Sequence, residues 1–481
     1  MNRWYNTHRH YGTGGYELMR HTLRDRHFEM DMLNGPVLPK ILSFAVPLML
    51  SSMLQLTFNA ADVIVVGRFE GDAALAAVGA PGSLINLLVN LFLGMSVGAN
   101  VLVAHCFGAG EYNETSQAVH TSIGLSLISG VLVGCVGFFF AGTFLSMMNT
   151  PPEVLPLATD YMRIYFLGMP ANMLYNFGAA ILRAIGDTRR PLIYLTIAGI
   201  VNVVLNLIFV LALGMGVSGV ALATILSQTI SAVLVVLCLI RSDGAIQLHP
   251  GKIRLHREKV WRILKVGLPA GLQGIMFSIS NVMVQSTVNG FGKTVVAGNT
   301  TSSNLEGYVY MAMNSISQAA ITFTGQNVGA GRYERIPKIV KAALLSVLAI
   351  SLSLGGLLIA GRYLLFHIYT DDAAVIAIAS ARILILGPPD FLCGMMDSMV
   401  GVLRGMGSSL MPMVVSVLGI CVLRVVWILT VFPLFRSLTT VYLSYPVSWA
   451  VTLLAHFCCY LYIKHRRYDN FRLASAQSMG Q

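Results

Sequence analysis

The sequence predicts an all-α, polytopic membrane protein with twelve transmembrane helices in two homologous six-helix bundles. Three observations carry that expectation. Of 481 residues, 55% are hydrophobic and 11% charged, with a mean hydropathy of +0.70, whereas a soluble domain holds roughly 25% charged residues. Twelve apolar stretches follow one another, each long enough to cross a hydrocarbon core of ~30 Å as a helix. Finally, the chain repeats itself: Gly108-Ala109-Gly110 returns as Gly329-Ala330-Gly331, and Leu182-Arg183 with Gly186 and Pro191 returns as Leu403-Arg404 with Gly407 and Pro412. The offsets 329−108, 404−183 and 412−191 are all 221. One large module used twice in an apolar chain points to a transporter with two homologous lobes.

The elements follow in order. A polar N-terminal tail, 1–38, has no apolar stretch and no small-residue cleavage site, so it is not read as a signal peptide. Its His8, His10, His21 and His27 are irregularly spaced, which favours a plain cytoplasmic tail over a metal-binding one. Helices 1 to 6 of the N-lobe (39–240) are expected over 39–66, 75–106, 117–145, 157–185, 190–213 and 218–240. A polar linker, 241–261, separates them from the C-lobe (262–463). Helices 7 to 12 are expected over 262–289, 295–327, 338–367, 374–404, 410–434 and 438–463, before a C-terminal tail, 464–481.

Charge orients these spans. Formal net charge is +11, and it sits in loops rather than in a stripe for nucleic acid. One side collects the tail arginines, Arg183, Arg189, Arg190, the basic linker, Arg332, Arg335, Lys338, Lys341, Lys464, Arg466 and Arg467. The other side holds little beyond Arg68, Lys293 and Arg436. The positive-inside rule then places both termini in the cytoplasm. Six helices per lobe make the repeat parallel, and the natural substrate site is the cleft between lobes near mid-membrane. Seven scattered cysteines read as small buried apolar residues, without disulfide or zinc spacing.

Polar residues inside spans are costly and therefore informative. On helix 1, Gln55, Asn59 and Asp62 share a face. Asn172 and Asn176 share a face of helix 4, as do Asn202 and Asn206 on helix 5. A carboxylate among amide oxygens suits a proton or a bare Na⁺, while amides also simply bond between helices. The depths disagree: Asp62 falls toward the outer end of helix 1, and Asn172 near the middle of helix 4. In the second half the acids are Glu306, Asp390 and Asp397. Asp390 follows Pro388-Pro389, where it also serves a helix break. Arg424, deep in helix 11, needs a partner, with Asp397 or Asp390 as candidates. Pro47 and Pro269 occupy matching places in helices 1 and 7, and Pro170, Pro388 and Pro389 interrupt helices 4 and 10. No Walker loop, HExxH or nucleophile elbow is present, which excludes ATP-driven transport and leaves a membrane-embedded enzyme without a catalytic constellation.

Together Pro47, Asn59-Ala60-Ala61-Asp62, the two Gly-Ala-Gly turns, Gln326-Asn327, the Leu-Arg-x-x-Gly motifs and Asn202 with Asn206 resemble the multidrug and toxic compound extrusion (MATE) family over about residues 39–465. The resemblance implies export of drug-like organic cations in exchange for H⁺ or Na⁺, with no other cofactor, by a monomer in the bacterial inner membrane. The family's helix 1 aspartate matches Asp62 and its helix 4 asparagine Asn172. Where many prokaryotic members carry an aspartate one turn later, this chain has Asn176. The second-lobe glutamate and aspartate of one branch fall at Phe277 and Cys393, with Asp397 one turn beyond. Asn206, Gln55 and Asn59 complete the candidates. A lipid or lipid-linked oligosaccharide flippase of the wider superfamily is the alternative, disfavoured by the few deep cations.

Overall fold

The computed structural model describes residues 29–469, apart from positions 71, 80 and 149. The arginines and histidines of the N-terminal tail before residue 29 and the chain after 469 lie outside the described residues. Twelve helical spans follow in the expected order. Helix 1 is Val37–Phe69, helix 2 Gly82–Gly108 after a short Asp72–Gly79 helix, helix 3 Tyr112–Met147, and helix 4 the pair Leu155–Leu167 and Met169–Ala184. Helix 5 is Arg189–Ala212 and helix 6 Gly216–Arg241. Helix 7 is Arg257–Asn289, helix 8 Lys293–Gly329, helix 9 Tyr333–Ala360, helix 10 the pair Ala373–Leu386 and Asp390–Gly405, helix 11 Leu410–Leu434, and helix 12 Leu438–Ile463. Nine of these are apolar and long enough to cross a membrane by themselves, and helix 10 makes ten when its two halves, bent by 53°, count as one span. Neither half of helix 4 reaches the necessary length. Helix 8 does, but Asn299, Thr300, Thr301, Ser302, Ser303, Asn304 and Glu306 make it polar.

The repeated motifs have a plain structural cause. Gly110, Gly331, Gly186 and Gly407 all adopt positive φ (72°, 70°, 98° and 78°). In each turn the residue after the glycine donates its N–H five residues back, as Glu111 does to Cys106, Arg332 to Asn327, Asp187 to Leu182 and Ser408 to Leu403. These are glycine-terminated Schellman caps, where a left-handed residue closes the helix end and satisfies its free carbonyls. Helices 2, 8, 4 and 10 stop this way, all on one face, which also holds the basic linker and both described chain ends. We call it the basic face.

The two lobes touch near that face. Helices 2 and 7 cross with backbone against backbone: a Cβ on Gly94 would lie 2.2 Å from Gly271 N, and one on Gly98 2.2 Å from Ile263 O. Small residues permit such approach. A second crossing obeys the repeat. A Cβ on Gly108 would meet Gln326 O at 2.2 Å, and one on Gly329 would meet His105 O at 2.0 Å, with 329−108 and 326−105 both equal to 221. Around it, Thr322 Oγ1 donates to Asn100 Oδ1 (3.2 Å), Gln326 Nε2 to Ala184 O (2.7 Å), and His105 Nε2 lies 2.7 Å from Gly405 O.

Helices 1 and 7 exchange lobes along their length. The basic half of helix 1 (Val37, Ile41, Phe44, Ala45, Leu48) is buried in a core built mainly from helices 8, 9 and 10, with Phe44 edge-on to Phe323 at 5.8 Å. Its other end, Val65 and Val66, belongs to a core with helices 4 and 6. Helix 7 does the reverse: Ile263 joins the N-lobe core, while Val284 and Val288 pack with Val441 of helix 12. Pro47 and Pro269 stand inside these two unbroken helices near the point of exchange.

Two segments reinforce the basic face. Residues 29–36 run across it as a strap. Met32 is fully buried in the C-lobe core, and its carbonyl accepts from Asn327 Nδ2 (3.2 Å). Arg332 Nη1 donates to Leu33 O (2.8 Å) and Asn34 Oδ1 (2.7 Å), and Arg335 to Gly35 O (3.0 Å). Met30 lies against Gly186 of the N-lobe, where a Cβ would come within 2.7 Å of Met30 N. The linker is equally fixed. Its Ile246 and Leu248 are buried in the N-lobe core, His249 N donates to His120 Nε2 (3.1 Å), and Lys259 pairs with Glu114.

Candidate functional site

Three polar clusters interrupt the apolar spans, and each gathers residues differently from the sequence pattern. The first is in the N-lobe, close to the face opposite the basic one. Asn206 Nδ2 of helix 5 donates to Asp62 Oδ1 of helix 1 at 2.5 Å, and to Asn202 Oδ1 at 3.3 Å. Asp62 is 7 residues from Phe69 at the end of its helix, and Asn206 is 6 from Ala212, so both stand about 10 Å below the helix ends at 1.5 Å per residue. Thr224 of helix 6 stands beside the carboxylate, and Tyr161 and Tyr165 of helix 4 flank it. Asn206 Oδ1 is buried without a hydrogen-bond partner among the described residues. A bare acceptor beside a half-buried carboxylate is the arrangement a small cation completes.

Asn172 and Asn176 do not join this cluster. Asn176 Nδ2 donates to Asn172 Oδ1 (3.0 Å) and to Asn172 O (2.8 Å), closing a local pair. The reason is depth. Asn172 is 17 residues from Leu155, about 25 Å along helix 4 from the face near which Asp62 lies. Helix 1 does run longer than the apolar stretch suggests, but its added turns lie beyond Asp62 and leave the two levels apart. The tyrosines two and three turns before Asn172 on helix 4 take the place expected for the asparagines. Gln55 and Asn59 are exposed on helix 1, and amides exposed inside a span turn to water rather than to lipid.

The second cluster lies between the lobes. A cavity of about 250 Å³ is lined by Asn90 and Val97 of helix 2, Gln273 and Phe277 of helix 7, Tyr310 and Gln318 of helix 8, and Asp397 and Arg404 of helix 10. Tyr310 OH donates to Asp397 Oδ2 (3.1 Å), and Arg404 Nη2 donates to Gln273 Oε1 (2.9 Å). Ser317 Oγ donates to the Asp397 carbonyl (2.7 Å), locking helix 10 to helix 8 at that turn. Arg404, read from sequence as part of a turn motif, does close that turn, its carbonyl accepting from Gly407 N (2.8 Å), and its side chain is also a wall of this cavity. Phe277 and Cys393 pack with Met396, Ile420 and Trp449 in an apolar cluster.

The third cluster shows what surrounds the other second-lobe acids. Glu306 is held by Arg382 of helix 10, with Nη2 to Oε2 at 2.9 Å and Nε to Oε1 at 3.1 Å. Ser302 Oγ adds a bond of 2.7 Å to Glu306 Oε1. Arg382 was hidden from sequence reasoning because a single arginine in an apolar run carries no spacing signal. Asp390 opens the second half of helix 10 directly after Pro389, where a carboxylate favours the exposed N–H groups of the first turn. Arg424 finds neither Asp397 nor Asp390. Its Nε donates to Ser448 Oγ (2.9 Å), and its guanidinium lies over the rings of Tyr445 (4.2 Å) and Trp449 (5.9 Å), a cation–π arrangement that needs no acid.

Comparison with known proteins agrees with the duplicated architecture. Residues 47–208 and 269–430 each match the family model MatE, two windows whose starts differ by 269−47 = 222. The probable multidrug resistance protein YoeA of Bacillus subtilis (strain 168) is 27% identical over 437 residues, covering 87% of this chain and 92% of that protein. The probable multidrug resistance protein NorM of Thermotoga maritima is 25% identical over 391 residues, covering 80% and 83%. Among solved structures, one described as the outward-facing conformation of a multidrug resistance MATE family transporter of the MOP superfamily superposes with a TM-score of 0.83 at 23% identity, covering 90% of this chain and 97% of that one. Both halves of the sequence match one family model, and the fold is that of a solved family member: this multi-pass membrane protein belongs to the MatE family of transporters.

Proposed function

We propose that the protein is a secondary active antiporter that exports organic, cationic compounds in exchange for H⁺ or Na⁺, and that it is not an enzyme. The observation that carries this reading is the Asp62–Asn206 contact with its unpartnered amide oxygen, a carboxylate site for one small cation inside an apolar lobe. The names of the relatives support multidrug export as the task. The basic face is cytoplasmic by the positive-inside rule, which puts both termini in the cytoplasm of a bacterial inner membrane. The cavity between the lobes holds Asp397, whose carboxylate suits a cationic substrate. No cofactor beyond the coupling cation is required, and a single chain contains both lobes and the cleft.

The mechanism follows from linkage. Cation binding at Asp62 neutralises a charge on the outer third of helix 1, and helix 1 is also part of the C-lobe core at its other end. A change in its bend at Pro47 therefore alters how the lobes meet. Exchange requires the ion and the substrate to favour opposite states. The test is ethidium efflux from vesicles with an imposed Na⁺ or H⁺ gradient. Wild type should export with one gradient and Asp62→Asn should not; full gradient-driven export by the variant would refute the mechanism.

The flippase alternative has one observation in its favour: Arg404 in the cavity wall, a cation that suits a pyrophosphate. Asp397 on the same helix opposes it. Translocation of a lipid-linked pyrophosphate in vesicles without any ion gradient would favour that reading over antiport.

A further inference from the structure

The lobes share one repeat, yet their outer halves are charged differently: the N-lobe acid Asp62 has no cationic partner among the described residues, whereas the C-lobe acid Glu306 is paired with Arg382. In the N-lobe, Asp62 is surrounded by Asn206, Thr224 and two tyrosines, none of them cationic. Within helices 4 and 10 the repeat offset is 221, so Arg382 occupies the register of Tyr161, the tyrosine that flanks Asp62. The guanidinium of Arg382 then does in the C-lobe what a bound ion would do in the N-lobe. It is taken up by Glu306 through two bonds and also donates to Asn299 Oδ1. Tyr442 stacks beneath it, 5.5 Å from ring centre to Cζ. Asn299 passes a further bond to Gln285 Oε1 (2.9 Å). Arg382, Asn299 and Ser302 are all more than nine-tenths buried, at 7%, 3% and 0% exposure. The other charged or titratable groups around Glu306 are Asp390 of helix 10 and Tyr442 and Tyr445 of helix 12.

We propose that Arg382, in the register of Tyr161, is a tethered cation that permanently occupies a polar site between helices 8 and 10 of the C-lobe, and that removing its guanidinium uncovers a cation site at Glu306, Ser302 and Asn299. An arginine does not release its proton in a protein, so this pair cannot cycle with a transported ion. The surrounding oxygens of Glu306, Ser302 and Asn299 are hard donors of the kind that alkali and alkaline-earth cations take. Asymmetry follows: one lobe exchanges a cation, and the other carries its own. The proposal rests on the antiporter reading for its role in transport, but the masked site is testable without it.

The experiment is thermal unfolding of the purified full chain in NaCl against choline chloride at equal ionic strength, since a ligand that binds only the folded state raises its stability. In an Asp62→Asn background, Arg382→Met should acquire a Na⁺-dependent upward shift in Tm. Adding Glu306→Gln should abolish that shift. Asp62→Asn alone should show no Na⁺ shift from the C-lobe. The proposal is overturned if Arg382→Met gains no cation response, or if Glu306→Gln removes a Na⁺ response that Asp62→Asn retains with Arg382 in place. A wild type indifferent to Na⁺ and to Asp62 would sink Na⁺ coupling at Asp62 while leaving the Arg382→Met gain to decide this proposal. Because breaking one side of a buried ion pair is strongly destabilising, a second variant removes both charges. Glu306→Gln with Arg382→Gln should keep gradient-driven ethidium export with its ion dependence unchanged. A folded double variant with altered ion dependence would show that the pair takes part in coupling.

Discussion

Asn206 Nδ2 lies 2.5 Å from Asp62 Oδ1 and ties helix 5 to helix 1 across the N-lobe. Hydrogen bonds to charged groups are worth about 1.5–3 kcal/mol, and each 1.4 kcal/mol is tenfold in an equilibrium constant. Replacing Asn206 by Leu should therefore shift the ion dependence of export by about 10- to 100-fold. The sign identifies the ion. With proton coupling, loss of the donor favours the protonated carboxyl, so the pH midpoint of export moves up. With Na⁺ coupling, loss of an amide oxygen weakens binding, so more Na⁺ is needed. Export measured across pH and across Na⁺ concentration separates the two, and an unchanged profile in both would remove Asn206 from the site.

The helix 2–helix 7 crossing leaves no space for a side chain. Gly94→Val would place atoms 2.2 Å from the Gly271 backbone, and overpacking typically costs about 1–3 kcal/mol. That cost falls on the state in which the basic face is closed. The expected outcome is slower export, together with faster alkylation of a cysteine placed at Ser317. Export at the wild-type rate would mean the crossing opens little during transport.

Thr322 and Asn100 face each other across the lobes at 3.2 Å. Cysteines at both positions, in a chain whose seven native cysteines are replaced, should form a disulfide that stops export, and reduction should restore it. Cross-linking without loss of export would contradict separation of the lobes at this level.

The strap gives a fourth expectation. Met32 is fully buried, and Met→Ala in a core costs about 2–5 kcal/mol. Since Met32 packs in the C-lobe while Met30 lies on Gly186 of the N-lobe, part of that cost should appear as a shift toward opening at the basic face. Hydrogen exchange at the Gly186 and Gly331 turns should rise in Met32→Ala, and a uniform loss of stability without local opening would reduce the strap to packing.

The spans, their order and the two turn motifs were legible because lipid enforces long apolar helices and because a glycine at positive φ cannot be hidden in sequence. The repeat proved to be a duplicated set of helix caps, with Gly110 and Gly331, Gly186 and Gly407 in the same geometry. Partnerships were not legible. Asn172 shares a residue type with Asn206 but stands about 15 Å deeper, by the difference of the two helix positions at 1.5 Å per residue. Depth is a sum over tilts and breaks, such as the interruption at Gly168, that no local pattern reports. Arg382 was missed because its partner, Glu306, comes from another helix, and Arg424, expected to pair with an acid, lies instead over the rings of Tyr445 and Trp449 on helix 12.

The exchange of helices 1 and 7 has a consequence for how the protein is made. Chains are synthesised from the N-terminus, and domains tend to fold as they emerge. Here the N-lobe core includes Ile263 of helix 7, and the first turns of helix 1 have their partners in helices 8 to 10. Neither lobe can be completed from its own half of the chain. The first six helices must wait in the bilayer with Val37, Ile41 and Phe44 uncovered until the second half arrives, so a protein expressed as two separate halves should be recovered only when both are present together.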